Sequence, residues 1–346
     1  MSFGLLQAIA GHPGPLALCT VMQVKGSGPR HAGSKMLVGQ EGRLQGSVGG
    51  GRGEALALAA CQDALQSGVP RVLDIDMQGT EAEGPAMLCG GTSRLLVEPL
   101  ASRVIYLSAL ERLCLGRPAL LVKRLDTGDT ALMDEQGAWI GAPLKGADPR
   151  AAGQALDTGF PVLGETEGLL YDPLLPAEKL LILGGGYVGQ ALAALAPGLG
   201  FQVTVGDDRP AFLEPDRFPA GVGTLVGAYA DILAGFPSDG STFIVIVTRG
   251  HLSDLECVRG VLAKPYHYAG LMGSLRKVRL VLDLVAGEGF DPQKVEALCA
   301  PLGLEIGAET PEELAVAIAG ELIAARRNSA TFEATHRLRK ARRQDP

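Results

Sequence analysis

LLILGGGYVGQALAALAPGLGFQVTVGDD, residues 180–208, decides the fold of the second half of this chain. It reads as a buried strand, a glycine turn, an amphipathic helix and a second strand that ends in acids. Val188, Leu192, Leu195 and Leu199 fall at i, i+4, i+7 and i+11 and mark one helical face. Gly184, Gly186 and Gly189 form G-x-G-x-x-G between strand and helix, and Asp207 follows about twenty residues on, as a dinucleotide turn requires. Gly184 serves the tight turn, Gly186 lets backbone N–H groups approach a phosphate, and Gly189 lets helix and strand pack closely. Asp207, or Asp208 beside it, would accept from ribose hydroxyls. The same turn is also compatible with a purely structural role in a doubly wound sheet.

Further elements follow outward from this stretch. TFIVIV (242–247) is the continuous apolar run of a strand buried on both faces, and it delivers TRGHLSD, with His251 and Asp254, to the end that faces the ligand crevice. His251 there either supports the loop or touches ligand. YAGLMG (268–273) is a shorter strand candidate, after which Ser274 caps a helix whose first turn holds Arg276 and Lys277, either phosphate contacts or a solvated face. TPEEL (310–314) has the signature of a capping box, followed by a stripe of Leu314, Ile318 and Leu322.

The first half reads differently. Strand candidates lie at 16–24, 35–39, 71–76, 93–100 and 118–125, with helices near 52–67 and 103–115. The expectation is an α/β chain: a C-terminal Rossmann-like doubly wound parallel sheet (177–328), a separate N-terminal α/β domain with a mixed sheet (1–172), and a basic tail (329–346) that is solvated and disordered. Prolines bracket the linker DPLLPA at 172–177. No internal repeat is visible.

Two first-half loops combine glycine with hydroxyl and basic residues. GSVGGGRGE (46–54) offers Gly46, Ser47, Gly49, Gly50, Gly51 and Arg52 as an anion cradle at a helix start, and KGSGPRHAGS (25–34) adds Lys25, Ser27 and Arg30. From the residues alone each is equally readable as a bare turn. Glycine makes up 48 of 346 residues, about 14% and roughly twice the usual share, so close backbone approaches are a general feature of the chain.

Composition bounds the function classes. A net charge of −7 gives no general attraction for nucleic acid. No run reaches the ~18 apolar residues of a membrane span and no Lys or Arg precedes Lys25, so a cytoplasmic protein without membrane association is expected. Six cysteines without a C-x-x-C pair fit a reduced compartment, and five histidines show no zinc spacing. Cys19 and Cys61 lie in apolar segments and are expected in the core. Cys89, between an apolar run and two glycines, is either a thiolate exposed at a turn or an inert buried thiol.

Taken in order, GSGPRHAGSKMLV, GSVGGGRGE, MLCGG, LGGGYVGQAL, VGDDRP, TRGHLSD, GLMGSLRK and PLGLEIGAETPEELAVAIAGELI resemble the XdhC/CoxI family of accessory proteins for molybdenum hydroxylases, over nearly all of residues 15–326. The resemblance implies binding of molybdenum cofactor, as molybdopterin or its cytosine dinucleotide form. It implies protection of that cofactor during sulfuration and its delivery to an apo molybdenum hydroxylase of the xanthine dehydrogenase, aldehyde oxidoreductase or carbon monoxide dehydrogenase type. Cysteine desulfurase and cofactor-synthesis enzymes would be partners, and a homodimer is expected. In the family Cys89 would be the metal-proximal sulfur ligand. Family members often place a cysteine after the glycines of GSVGGG, where this chain has Arg52, so a second thiolate from that loop is not available. The alternative is an NAD(P)- or FAD-dependent oxidoreductase, for which His251 would be the proton donor. A third reading is a nucleotide-sensing protein that docks to a hydroxylase without carrying cofactor.

Overall fold

The computed structural model describes residues 3–76, 91–165 and 168–344. The chain divides into two compact units, Met1–Pro176 and Ala177–Pro346.

In the first unit the elements run α1 (Phe3–Gly11), β1 (Ala17–Lys25), β2 (Lys35–Gly39), β3 (Gly42–Gly46), α2 (Gly51–Ser67), β4 (Arg71–Asp76), β5 (Thr92–Pro99), α3 (Val104–Cys114), β6 (Ala119–Arg124), β7 (Thr130–Asp134), β8 (Trp139–Ile140), α4 (Pro149–Thr158), β9 (Val162–Leu163) and β10 (Leu169–Leu174). They build two five-stranded sheets, ordered β3-β2-β1-β5-β4 and β8-β7-β6-β10-β9. The mixed sheet expected here is antiparallel in every described pair. Short connections such as Gly39–Gly42 account for the β2–β3, β6–β7, β7–β8 and β9–β10 pairs, because a parallel pair needs a crossover of a dozen or more residues.

The sheets pack face to face. Leu16, Leu18 and Leu37 of the first meet Leu121, Leu132 and Leu174 of the second, with Leu6, Ile9 and Tyr106 of α1 and α3 filling the layer. α2 covers the other face of the first sheet through Ala57, Ala60, Cys61 and Ala64. Ala17–Met22 of β1 is therefore buried residue after residue, an apolar run interrupted only by the buried Thr20. α4, capped by Asp148 with Pro149 at its first position, covers the second sheet.

The second unit runs β11 (Lys179–Leu183), α5 (Tyr187–Leu195), β12 (Gln202–Asp207), β13 (Gly223–Val226), α6 (Tyr229–Gly235), β14 (Phe243–Ile246), α7 (His251–Leu262), β15 (Tyr268–Leu271), α8 (Leu275–Ala286), α9 (Pro292–Ala297), α10 (Pro311–Arg326) and α11 (Ala330–Gln344). Its sheet, β13-β12-β11-β14-β15, is parallel, in the order of a Rossmann half with one further pair of strands beyond the first. Order reverses between β11 and β14, which places the crevice outside their C-terminal ends.

Two details depart from the sequence reading. Pro197 ends α5 in a short 3₁₀ turn, so the apolar stripe slips: Leu195 is 41% exposed, while Ala193 and Ala196 are buried. The tail expected to be disordered contains a helix, α11, which docks through Arg339, 4% exposed, on Glu321 of α10. The Glu321 carboxylate also accepts from Tyr268 Oη (2.8 Å) and Gly303 N (2.7 Å), so a buried charge is fully bonded there. Among the described residues no helix is long and apolar enough to cross a membrane.

Candidate functional site

Three glycine-bearing segments of the first unit converge beside one another. A Cβ at Gly91, just before β5, would lie 2.5 Å from the carbonyl oxygens of both Lys25, the last residue of β1, and Ser27 in the β1–β2 connection. A Cβ at Gly49, between β3 and α2, would lie 2.6 Å from Pro29 Cγ of that same connection. Backbone bareness at these two positions therefore serves loop-on-loop packing, whereas Gly50 and Gly51 face open space. Next to them opens a cavity of about 520 Å³ lined by Arg30, Ser34, Lys35, Arg43, Gly46 and Ser47. Ser27, Arg30 and Arg52 are exposed.

The cradle itself holds an anion from its own chain. The Glu54 carboxylate, one turn into α2, accepts from Ser47 Oγ (2.5 Å), Val48 N (3.3 Å), Gly50 N (3.2 Å) and Arg43 Nη1 (2.6 Å). The Ser47 hydroxyl, joined by the Gly50 N–H and Arg43, outweighs partial burial and holds this carboxyl below its usual range. Sequence alone gives these donors to a ligand phosphate and passes over Glu54. Its only signal is the last letter of GSVGGGRGE, offset by one from the capping-box position. The helix-capping residue Gly50 has no side chain, and Glu54 instead reaches back to the Gly50 and Val48 amides just ahead of the helix.

Lys35 lines the cavity at the start of β2, but its ammonium turns inward, to Gly33 O (3.1 Å) and Asp172 Oδ1 (2.8 Å). Lys123 lies 3.8 Å from Asp172 Oδ2 and pairs with Glu98. All four charges are buried between the sheets. Burial lowers the Lys35 pKa despite Asp172. Burial opposes charge on Lys123 as well, but Glu98, Tyr106 and Asp172 outweigh it and the pKa rises. Burial would raise Asp172, and the two ammonium groups pull it below the carboxylate range instead. This network locks the strand that carries one wall of the cavity.

Cys89 lies outside the described residues. Among the described ones no group of His, Cys, Asp and Glu has the arrangement of a metal site. Cys19 and Cys61 are buried, as expected of core thiols.

The second unit's glycine turn follows the geometry expected of it. A Cβ at Gly189 would overlap the Gly184 carbonyl oxygen, and one at Gly184 would lie 2.5 Å from Val247 O, so helix, turn and β14 are in direct contact. Gly186, by contrast, faces open space at the start of α5. Asp207 departs from expectation: it is fully buried and bonded within the chain, to Gly185 N (2.8 Å) and three donors of Arg209. Burial favours its neutral form, but these donors prevail and the carboxyl stays below its usual range. Asp208 is the more accessible acid and pairs with Arg249 at 2.8 Å.

Across the switch point His251 is the first, exposed residue of α7, beyond the strand end where it was expected. Asp254 behind it is fully buried and binds Thr248 Oγ1 (2.6 Å) and Lys277 Nζ (2.6 Å). Ser274 caps α8 by accepting from Lys277 N at 3.3 Å, and Arg276 points outward, exposed. Thus Thr248, Asp254, Ser274 and Lys277 come together behind the exposed His251.

Comparison with known proteins gives matches in both units. Residues 180–322 match the model of the XdhC Rossmann domain, and residues 11–76 match that of the XdhC and CoxI family. A Bacillus subtilis protein described as a probable xanthine dehydrogenase subunit is 28% identical over 340 residues, covering 94% of this chain and 98% of its own. The Escherichia coli molybdenum cofactor insertion chaperone PaoD is 25% identical over 310 residues, covering 89% of this chain and 83% of its own. A crystal structure described as a xanthine dehydrogenase from Bacillus halodurans superposes with a TM-score of 0.83 at 28% identity, over 95% of this chain and 96% of that one.

Proposed function

The chain belongs to the XdhC and CoxI family, and on that footing we propose that it is a maturation factor that binds molybdenum cofactor and delivers it to an apo molybdenum hydroxylase. The observation that carries this reading is the likeness to a molybdenum cofactor insertion chaperone along 89% of the chain. The first-unit loops suit the anionic end of such a cofactor. Ser47 Oγ, the N–H groups of Val48 and Gly50, and Arg43 already surround a carboxylate, which makes them a donor set for a phosphate of similar charge. Arg30 and Arg52 would add charge at the rim, and Glu54 would turn outward as a ligand phosphate takes its donors. Gly46 and Ser27 shape the walls of the same loops.

When bound, the cofactor supplies the molybdenum centre of the recipient enzyme. This chain's part is to bind, shield and release. Cys89 is assigned the role of soft sulfur ligand at the metal end; the described chain resumes two residues later at Gly91, against Lys25 and Ser27. Gly184, Gly186 and Gly189, with Ser274, Arg276 and His251 across the crevice, would serve a phosphate group of the cofactor that brings no ribose to Asp207. Cofactor protection during sulfuration, contact with a cysteine desulfurase, homodimer formation and a cytoplasmic location complete the reading.

Loading tests it. Full-length protein is incubated without oxygen with isolated molybdopterin cofactor, separated by gel filtration, and assayed for molybdenum and pterin. Near-stoichiometric retention is expected, reduced in Arg43→Ala and, for the metal, in Cys89→Ala. Retention of neither by the folded wild-type protein would remove the proposal.

A further inference from the structure

In a doubly wound nucleotide site the acid that ends the second strand accepts from ribose hydroxyls, while the diphosphate lies on the glycine turn. Asp207 has that position at the end of β12. Its Oδ1 accepts from Arg209 N (3.0 Å) and Nε (2.9 Å), and its Oδ2 from Gly185 N (2.8 Å) and Arg209 Nη2 (3.0 Å). Two of these donors belong to one guanidinium, which presents them side by side to the two carboxylate oxygens. That is the pattern a ribose diol would present. The guanidinium is held in place from its other side, its Cζ 3.6 Å from the centre of the Phe212 ring.

The segment that carries Arg209 is itself seated on the turn. A Cβ at Gly185 would lie 2.6 Å from the Phe212 carbonyl oxygen. Arg217, at the far end of this segment, donates from Nη2 to Gly185 O (3.1 Å) and Gln190 Oε1 (3.0 Å), and Gln190 Nε2 returns a bond to Arg217 O (3.1 Å).

The geometry points to Arg209 as a specificity-determining residue of the second unit: its guanidinium stands in for a ribose diol on Asp207 and closes the crevice to dinucleotides such as NAD(H). A neutral diol would have to displace a charge-assisted bidentate pair that is already tethered two residues away. Exclusion acts on the ribose contact alone. Gly186 remains open, so a phosphate that brings no ribose to Asp207 is not rejected. The inference is independent of cofactor delivery by the chain.

NADH binding by the full chain, followed by calorimetry, tests it. Wild-type protein should show no saturable binding up to about 1 mM, the weak end of specific affinity. Arg209→Ala should bind at least about tenfold tighter, as expected when a hydrogen-bonding carboxylate becomes available. Asp207→Asn in the same background should reverse that gain. Phe212→Ala, which leaves the ion pair in place but removes the ring behind it, should give a smaller gain, and it decides the question if Arg209→Ala fails to fold. Micromolar binding of NADH by wild type, or no gain in folded Arg209→Ala or in Phe212→Ala, would overturn the inference.

Discussion

Replacing Lys123 by Met should cost the first unit about 3–5 kcal/mol, because it leaves Glu98 charged and without its partner in a dry layer. Both side chains are essentially inaccessible, at 0% and 1% exposure. Asp172 retains Lys35 at 2.8 Å, so the loss falls mainly on Glu98. For a unit of this size each kcal/mol shifts the melting temperature by about 2–4 °C, which gives a drop on the order of 10 °C. The chain's one tryptophan, Trp139, is in β8 of this unit and packs against the α4 core, so its fluorescence reports unfolding here and not in the second unit. The double variant Glu98→Leu/Lys123→Met removes both charges and should return to within about 1 kcal/mol of wild type or exceed it. A single variant that loses under about 1 kcal/mol, or a double variant as unstable as the single, would refute the buried-charge argument.

Other outcomes follow from the same structure. In wild type, the lowered pKa of Asp172 contributes stability above its unfolded value of about 3.9; Trp139 melts should show it lost as pH falls from there through the folded pKa. Gly189→Ala should destabilise β11 and α5 by on the order of 2 kcal/mol in hydrogen exchange, since its Cβ meets backbone, whereas Gly186→Ala should be nearly neutral. Arg339→Met should speed exchange throughout α11 by about a hundredfold, the equivalent of ~3 kcal/mol; unchanged exchange would mean that the Glu321 pair does not hold the helix. Glu54→Gln should tighten binding of inorganic pyrophosphate by about tenfold, since the competing carboxylate becomes a weaker acceptor. Equal binding by both proteins would detach Glu54 from the ligand site.

In the second unit β11, α5, β12, β14, β15, α8 and α10 were legible because their signals are local. Continuous apolar strands, the glycine turn and the Thr310 capping box lie within a few residues of the atoms they organise, and the observed elements follow them. Side-chain partners were not legible, whether near or distant in sequence. Asp207 reads as a ribose acceptor until Arg209 folds onto it over Phe212, and the four charges Lys35, Glu98, Lys123 and Asp172 meet only when two sheets stack. The short strands β7, β8 and β9 have too few residues to show a period, and α4 announces itself only through Asp148 and Pro149. The basic tail looked solvated because Arg339 finds Glu321 eighteen positions away. Glycine in GSVGGG signalled close approach correctly; what approaches Gly49 is Pro29 of the neighbouring loop.

The central claim is delivery, and reconstitution measures it. Apo molybdenum hydroxylase from the same cell is incubated with equal amounts of cofactor, either free or bound to this chain, and its activity is followed with time. The account predicts faster and fuller activation from the bound cofactor, diminished when Arg43→Ala protein is used. Activation that is no better than with free cofactor, by a chain shown to hold cofactor, would contradict it.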